Sequence, residues 1–335
     1  MSNAKTLYPI KVGKKYGYID NTGEVVIEAK FDYAEEFEGQ LAIVDIDEKF
    51  GFINKEGNLV VKAEYDDVYN FSEGLAAIQL GNKSGYVDSE GNLVIQCQYD
   101  EAGDFSEGLA AVKLGYKWGY INKAGEMVIE PQFLDAFDFS DGIAVVQLGG
   151  KLGYIDKDGN FIIEPKYDSA YGFSEELAAV TIKKKCGYID KSGNIIIPAK
   201  YHEANDFKEG LAAVEVKNKY GFIDKKGELI IPAKYDWTEE FYQGFAAVAV
   251  GEKYGFINRE GKEIIPLIYD NVDTISEGFV AVEVDGKWGY VDLEGNLVIS
   301  PAFDEVGKFV NGIAKVEIGN KASYINNNGE YIWKA

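Results

Sequence analysis

The feature that most constrains the fold of this chain is an internal repeat of 34 residues. The pattern Lys-x-Gly-Tyr/Phe-Ile/Val-Asp/Asn recurs at that interval without insertion or deletion, and a tenth, degraded copy has Ser323 in the glycine position. A fixed period of this length is typical of repeat architectures, in which stacked units share a continuous core. We therefore predict one array of ten units over residues 7–335, preceded by a lead-in at residues 1–6. The ten copies open at Lys15, Lys49, Lys83, Lys117, Lys151, Lys185, Lys219, Lys253, Lys287 and Lys321.

Each unit is predicted to be a three-stranded antiparallel meander. Residues 41–46 form a β-branched run typical of a strand, and a two-residue tip separates them from a second strand at residues 49–54. Asp/Asn-x-x-Gly follows in every copy and predicts a type I turn that ends on a left-handed glycine, before a third strand at residues 59–62. Residues 65–74 carry apolar side chains three apart, so we expect an irregular connector with one helical turn.

The strands carry apolar side chains on both faces, which predicts an all-β array of stacked sheets. In the second strand of one unit, Ile53 shares a face with Gly51 while Phe50 and Phe52 take the other. A lone three-stranded sheet buries too little apolar surface to fold, so each sheet must pack between two neighbours. Propellers usually have four to eight blades of four strands. Ten units of three strands therefore favour an open superhelical array, with a closed propeller-like array as the alternative.

Composition excludes several classes of protein. The chain of 335 residues has a formal net charge of −22, so it repels phosphate backbones and nucleic acid is a poor partner. No apolar run approaches the ~18 residues of a membrane helix, which argues against membrane insertion. Two cysteines are no disulfide framework, and a single histidine makes a histidine-ligated metal site improbable.

One unit carries a recognisable family motif. Residues 117–131 read Lys-Trp-Gly-Tyr-Ile-Asn-Lys-Ala-Gly-Glu-Met-Val-Ile-Glu-Pro, and residues 139–146 read Phe-Ser-Asp-Gly-Ile-Ala-Val-Val. This unit resembles the bacterial WG repeat family, also called KWG, although the Trp-Gly pair survives literally only at Trp118 and Trp288. The resemblance implies an all-β repeat and an interaction or binding role. It supplies no catalytic residues that can be carried over to this chain.

The residues that could take part in catalysis or metal binding all have a structural interpretation. A column is the set of residues that hold the same position in successive copies of the repeat. His202 stands in a connector column that otherwise holds mainly aspartate, and Cys97 and Cys186 stand in columns whose side chains serve packing. Asp156–Asn160 resembles the start of a calcium loop but lacks the later ligands, so a turn is favoured. The ten repeat lysines are expected to pair with carboxylates rather than to line a groove for an anionic polymer. We predict no catalytic residue, no cofactor and no metal site.

Aromatic residues that appear in only some copies of an exposed column are the sharper signal. Aromatics present in every copy serve the shared core, whereas sporadic ones among polar residues point to contacts with a peptide or a sugar. The candidates for ligand contact are Tyr33, Tyr69, Tyr116, Phe137, Tyr171 and Trp237.

Three functions remain open at this stage. The favoured one is a non-catalytic scaffold that binds a protein or peptide partner on its extended surface. The alternative is a cell-envelope glycan-binding protein that uses the sporadic aromatics, and a hydrolase is least favoured because repeated carboxylates form no unique pair. No signal peptide is visible, so the cytoplasm is the default location. Residues 1–4 resemble a vector remnant, so removal of an export signal, with an exported or cell-surface location, is the alternative that stays open. The oligomeric state is left open.

Overall fold

The computed structural model describes residues 6–273 and 275–334, and the regular structure of these residues is β throughout. Residues 1–5 of the predicted lead-in lie outside the described part. The chain divides into two compact units, one ending at Gly172 and the other beginning at Phe173. The single continuous array over all ten repeats stays a prediction.

The first unit contains five antiparallel sheets, numbered here in chain order. Their strands are Tyr8–Val12, Lys15–Ile19 and Val25–Phe31 in sheet 1; Tyr33–Ala34, Leu41–Ile46, Lys49–Asn54 and Leu59–Tyr65 in sheet 2; Asp67–Ser72, Leu75–Leu80, Lys83–Asp88 and Leu93–Tyr99 in sheet 3; Glu101–Ala102, Leu109–Leu114, Lys117–Asn122 and Met127–Phe133 in sheet 4; and Asp135–Ala136, Ala144–Leu148, Lys151–Ile155 and Phe161–Tyr167 in sheet 5. A last short strand of this unit is Ser169–Ala170.

The second unit contains five further antiparallel sheets. Its strands are Ala178–Ile182, Lys185–Ile189 and Ile195–Tyr201 in sheet 6; Ala212–Val216, Lys219–Ile223 and Leu229–Tyr235 in sheet 7; Trp237–Thr238, Phe245–Val250, Lys253–Asn258 and Glu263–Tyr269 in sheet 8; Asn271–Val272, Phe279–Val284, Lys287–Asp292 and Leu297–Phe303 in sheet 9; and Glu305–Val306, Ile313–Ile318, Lys321–Asn326 and Tyr331–Trp333 in sheet 10.

The meander is confirmed, but the prediction of three strands per unit is wrong for most of the sheets. Sheets 2–5 and 8–10 each gain a fourth strand from the preceding connector. In sheet 4, Glu101 lies opposite Lys113 and Ala102 opposite Val112. The expected helical turn is replaced by strand and turn, because the open edge of the next strand offers partners for the connector's backbone groups. The three-strand premise that favoured the open array is therefore incorrect.

The predicted turns are confirmed. In the Asp/Asn-x-x-Gly turns the glycine N–H donates to the carbonyl of the first residue, for example Gly125 to Asn122 at 2.9 Å, and Gly125 has a φ of 78°. The first side chain caps the turn, since the Asn122 Oδ1 accepts the N–H groups of Ala124 and Glu126 at 3.0 Å. Asp156 caps its turn in the same way, which supports the turn interpretation of residues 156–160.

The hydrophobic cores lie between consecutive sheets. Tyr86 of sheet 3 packs with Val112 and Ile121 of sheet 4, whereas the next residue, Val87, faces the core shared with sheet 2. Four such cores are described in each unit. Each sheet thus buries its apolar faces only with the help of its neighbours, as the alternating pattern predicts.

The glycine of the repeat motif lies where the backbones of the second and third strands of one sheet approach each other unusually closely. In sheet 5 the register between the second and third strands shifts around Gly153, which marks a bulge. A Cβ atom at Gly153 would lie 2.6 Å from the Ile163 carbonyl oxygen and 2.7 Å from the Pro165 nitrogen. The absence of a side chain at this glycine therefore permits the close approach of two backbone segments.

Candidate functional site

The six predicted contact residues are all exposed. Tyr116 projects from a hairpin tip with 91% of its surface accessible, and the others are between 38% and 54% accessible. Tyr33 packs edge-on against Tyr16 at 5.7 Å between ring centroids, and Trp237 packs in the same way against Tyr254 at 5.5 Å. Five of the six lie in the first unit, and only Trp237 lies in the second.

Buried tyrosine hydroxyls hold the connectors that carry the exposed column. The Tyr120 hydroxyl donates to the Phe137 carbonyl at 2.7 Å, and the Tyr154 hydroxyl donates to the Tyr171 carbonyl at 2.8 Å. Burial raises the pKa of Tyr120 well above the usual range for tyrosine. The connector backbone is therefore fixed, while the side chains of Phe137 and Tyr171 point outward. The same bond joins Tyr18 to Glu35, Tyr86 to Gly103, Tyr188 to Asn205 and Tyr290 to Gly307.

Carboxylates accompany the aromatics of the first unit. Burial raises the pKa of Asp104 and of Asp138, and the charge of Asp104 adds to the effect at Asp138. Burial also raises the pKa of Tyr69, with a further contribution from nearby carboxylates that include Asp104. Aromatic and acidic side chains thus share the connector face of this unit.

A groove in the second unit also combines aromatic and acidic side chains. Its space of about 620 Å³ lies beside Trp237 and Tyr242, and Tyr242 is 57% exposed. Burial is the main cause of the raised pKa of both Glu239 and Glu240. The lining residues are Asn205, Lys208 and the segment from Trp237 to Tyr242, here called the connector groove.

The sequence analysis found Trp237 but missed the rest of the groove. Lys208 and Tyr242 occupy successive positions of a column in which serine usually bonds to the next connector, as Ser106 does to the Phe139 carbonyl at 2.6 Å. Larger side chains at these two positions cannot make the same short hydroxyl bond and lie exposed beside the groove instead. This departure from serine is the signal that identifies the groove.

Most of the repeat lysines are paired with a carboxylate, as the structural interpretation predicts. In seven described copies the lysine contacts an aspartate 17 residues later, for example Lys83 and Asp100 at 2.7 Å. The second oxygen of Asp100 accepts the Gly115 N–H of the next hairpin tip at 2.7 Å. The bond from Lys83 and the bond from Gly115 lower the pKa of Asp100, and the same causes act at Asp32, Asp66, Asp236, Asp270 and Asp304.

These shifts predict that the stability of the protein falls as the pH drops below the usual pKa of aspartate. A carboxylate whose pKa is lowered by folding stabilises the native state above its unfolded pKa, and that contribution is lost as the pH falls through the lower native value. Asp104 and Asp138 have raised pKa values, so the sign is reversed for them. Their contribution to the free energy of unfolding falls as the pH rises toward 7. Thermal denaturation followed by circular dichroism should show a melting temperature that falls steeply below about pH 4. A melting temperature that is level from pH 5 to pH 2 would contradict the assignment.

The remaining candidates have structural positions. Cys97 and Cys186 pack at the margins of apolar cores. His202 is exposed on a connector, with its Nδ1 3.8 Å from Glu215 Oε1. Across residues 6–273 and 275–334, no group of three or more His, Cys, Asp or Glu side chains is placed to hold a metal ion. The same described residues contain no helix long and apolar enough to cross a membrane.

Small antiparallel sheets in tandem, with cores shared between neighbours and a recurrent turn glycine, define a β-repeat protein. Comparison of sequences names the family: the chain belongs to the WG-containing repeat family. The family model matches residues 16–50, 50–83, 85–118, 118–151, 153–186, 187–220, 220–254, 254–288 and 288–321. No curated protein matches the chain in sequence.

Several solved structures align with this chain at low sequence identity. A crystal structure described as "the eukaryotic initiation factor" aligns with a TM-score of 0.58 at 12% identity, covering 89% of this chain and 95% of that chain. Dihydro-heme d1 dehydrogenase NirN aligns with a TM-score of 0.41 at 12% identity, over 78% of this chain and 73% of that one. Hsv2 of Kluyveromyces lactis aligns at 0.38 and 8% identity, over 76% and 94%. At such identities only the initiation factor alignment bears on this chain, and it concerns the fold alone.

Proposed function

We propose that this chain is a non-catalytic scaffold that binds a protein or peptide partner through the connector groove. The observation that carries the proposal is the groove itself, about 620 Å³ in volume, with two exposed aromatic rings and two carboxylates along it. Concave sites with aromatic anchors and a few polar groups are the usual setting for specific binding.

The chemistry of the groove favours a partner with basic side chains. Trp237 and Tyr242 offer ring faces, which attract ammonium and guanidinium groups. Glu239 and Glu240 supply the opposite charge, and a cation bound beside them would lower their raised pKa values. The net charge of −22 steers a basic segment toward the protein over longer distances.

Peptide selection tests the proposal with substitutions taken from the repeat itself. A displayed library of random peptides is selected on the wild-type chain and then measured on a variant carrying Trp237→Asn and Tyr242→Ser. Both replacements occur naturally in these columns, at Asn271 and Ser276. We expect lysine- or arginine-containing peptides whose affinity falls at least about tenfold in the variant, a change of about 1.4 kcal/mol. The control Tyr116→Asn should leave binding unchanged.

Two outcomes would contradict the proposal. One is that the selected peptides bind the double variant as well as the wild type. The other is that no peptide is enriched while an immobilised polysaccharide retains the wild type and releases the variant. The second outcome would establish the glycan-binding alternative, in which Asn205 and the carboxylates bond to sugar hydroxyls beside the aromatic rings.

We also propose that the sheets are arranged as the blades of a closed propeller-like ring rather than as an open superhelical array. The four-stranded sheets support this proposal, because four strands per blade are usual in propellers. Asn21 and Asn327 are exposed and hold equivalent turn positions in sheets 1 and 10. Spin labels at both positions, with Cys97 and Cys186 replaced by alanine, should lie within about 30 Å of each other in a ring. An open stack at ~10 Å per sheet predicts more than about 60 Å and would refute it.

A further inference from the structure

A cluster of lysines marks one edge of the second unit in an otherwise acidic protein. Residues 183–226 contain ten lysines and six carboxylates, whereas the whole chain carries a net charge of −22. Lys183 and Lys184 form the exposed hairpin tip of sheet 6, and Lys217 begins the next tip, in sheet 7. Together with Lys185 and His202 they are called the basic tip patch.

In most other copies an aspartate holds the position of His202, and its contacts show the role of a carboxylate at this edge. In six described copies one aspartate bridges two groups, the lysine of one sheet and a tip N–H of the next sheet. Asp270 accepts from Lys253 Nζ at 2.6 Å and from the Asp285 N–H at 2.7 Å. The geometry is a ready-made receptor for a carboxylate, with one ammonium group and one backbone N–H.

In the basic tip patch this receptor lacks its own aspartate, because His202 holds that position. Lys185 and the Lys217 N–H are the two groups that the aspartate would bridge. Within the described residues Lys185 has no ion pair, and the same holds for Lys183, Lys184 and Lys217.

The hairpin tips supply the second observation. Lys183, Lys184 and Lys217 have φ values of 50°, 64° and 53°, a left-handed conformation that disfavours lysine. Equivalent tips use glycine, for example Gly81 and Gly115. Lysine therefore occupies three strained positions around the receptor, where glycine or asparagine would fit with less strain.

Glu203 and Glu215 have other contacts and do not replace the missing aspartate. Glu215 lies 3.8 Å from the His202 ring, and Glu203 accepts a hydrogen bond from the Tyr220 hydroxyl. The patch keeps an excess of positive charge after both are counted.

We propose that the basic tip patch binds an acidic peptide segment, one of whose carboxylates takes the bridging position between Lys185 and the Lys217 N–H. Lys183 and Lys184 contact neighbouring acidic residues of the same segment. A short segment is favoured over nucleic acid, because a long polyanion would extend onto the acidic remainder of the surface and be repelled. This site is separate from the connector groove and does not depend on its function.

The test restores the aspartate of the repeat. Fluorescein-labelled hexaglutamate is titrated into the full chain at low and at physiological ionic strength, with fluorescence anisotropy as the readout. We expect saturable binding that His202→Asp weakens at least tenfold, with an unchanged or higher melting temperature. Lys183→Gly with Lys184→Asn should also weaken binding and raise the melting temperature.

A matched control separates this site from a general charge effect. In sheet 4 the aspartate position holds Leu134, so Leu134→Asp adds the same negative charge at an equivalent place outside the patch. Leu134→Asp and the groove variant carrying Trp237→Asn and Tyr242→Ser should bind hexaglutamate like the wild type. Equal affinity of the wild type and His202→Asp would overturn the proposal, as would equal losses in His202→Asp and Leu134→Asp. Preferential binding of a single-stranded oligonucleotide of equal charge would also overturn it.

Discussion

Replacing Phe139 by alanine is expected to lower the free energy of unfolding by about 3–5 kcal/mol, the usual cost of removing a buried phenylalanine ring. Phe139 is 1% exposed, and its ring lies 4.9 Å from the ring of Tyr120. It belongs to the core between sheets 4 and 5, so its loss opens a cavity that both sheets line. Urea denaturation followed by circular dichroism measures the change.

The same substitution two residues earlier is the control. Phe137 stands on the same connector but is 48% exposed, so Phe137→Ala should change the free energy of unfolding by no more than about 0.5 kcal/mol. If the two variants lose similar stability, the division of connector aromatics into core and surface sets is wrong.

Gly153→Ala is the second substitution with a large expected effect, about 3 kcal/mol of destabilisation, at the upper end for overpacking. The added methyl group would meet the Ile163 carbonyl oxygen and the Pro165 nitrogen, both well inside van der Waals contact. Backbone atoms cannot move aside without breaking the bulge between the second and third strands of sheet 5.

Gly172→Ala separates steric clash from the general effect of losing a glycine. A Cβ atom at Gly172 meets nothing within 4 Å, and its backbone is outside the left-handed region. The free energy of unfolding of this variant should be equal to or slightly above that of the wild type, because alanine restricts the unfolded chain. A comparable fall in the free energy of unfolding of both variants would contradict the claim that the repeat glycine is needed to avoid a backbone clash.

The sequence predicts the core well, because identical apolar positions recur ten times and must face the same surroundings. Tyr86 and Val87 alternate between two cores as strand periodicity requires. The fourth strand could not be predicted in this way. Pairs such as Glu101–Ala102 are too short to carry a periodic signal, and their pairing depends on an open strand edge that only the folded sheet supplies.

The candidate site was predictable only in part. Comparison of copies found Trp237, since an exposed aromatic among polar residues has no role in the shared core. The raised pKa values of Glu239 and Glu240 follow from how neighbouring connectors pack, which sequence spacing does not reveal. His202 was recognised as a replacement of aspartate, but the importance of that position required the geometry of the lysine–aspartate–tip bridge.

The central claim is that the sheets depend on their neighbours for hydrophobic cover, and an excised sheet tests it most directly. A peptide of residues 67–108 contains sheet 3 and the connector that follows it, but lacks both flanking sheets. We predict a circular dichroism spectrum of an unfolded chain and no cooperative thermal transition, in contrast to the full-length protein. A monomeric peptide with a β spectrum and a cooperative transition would contradict the claim.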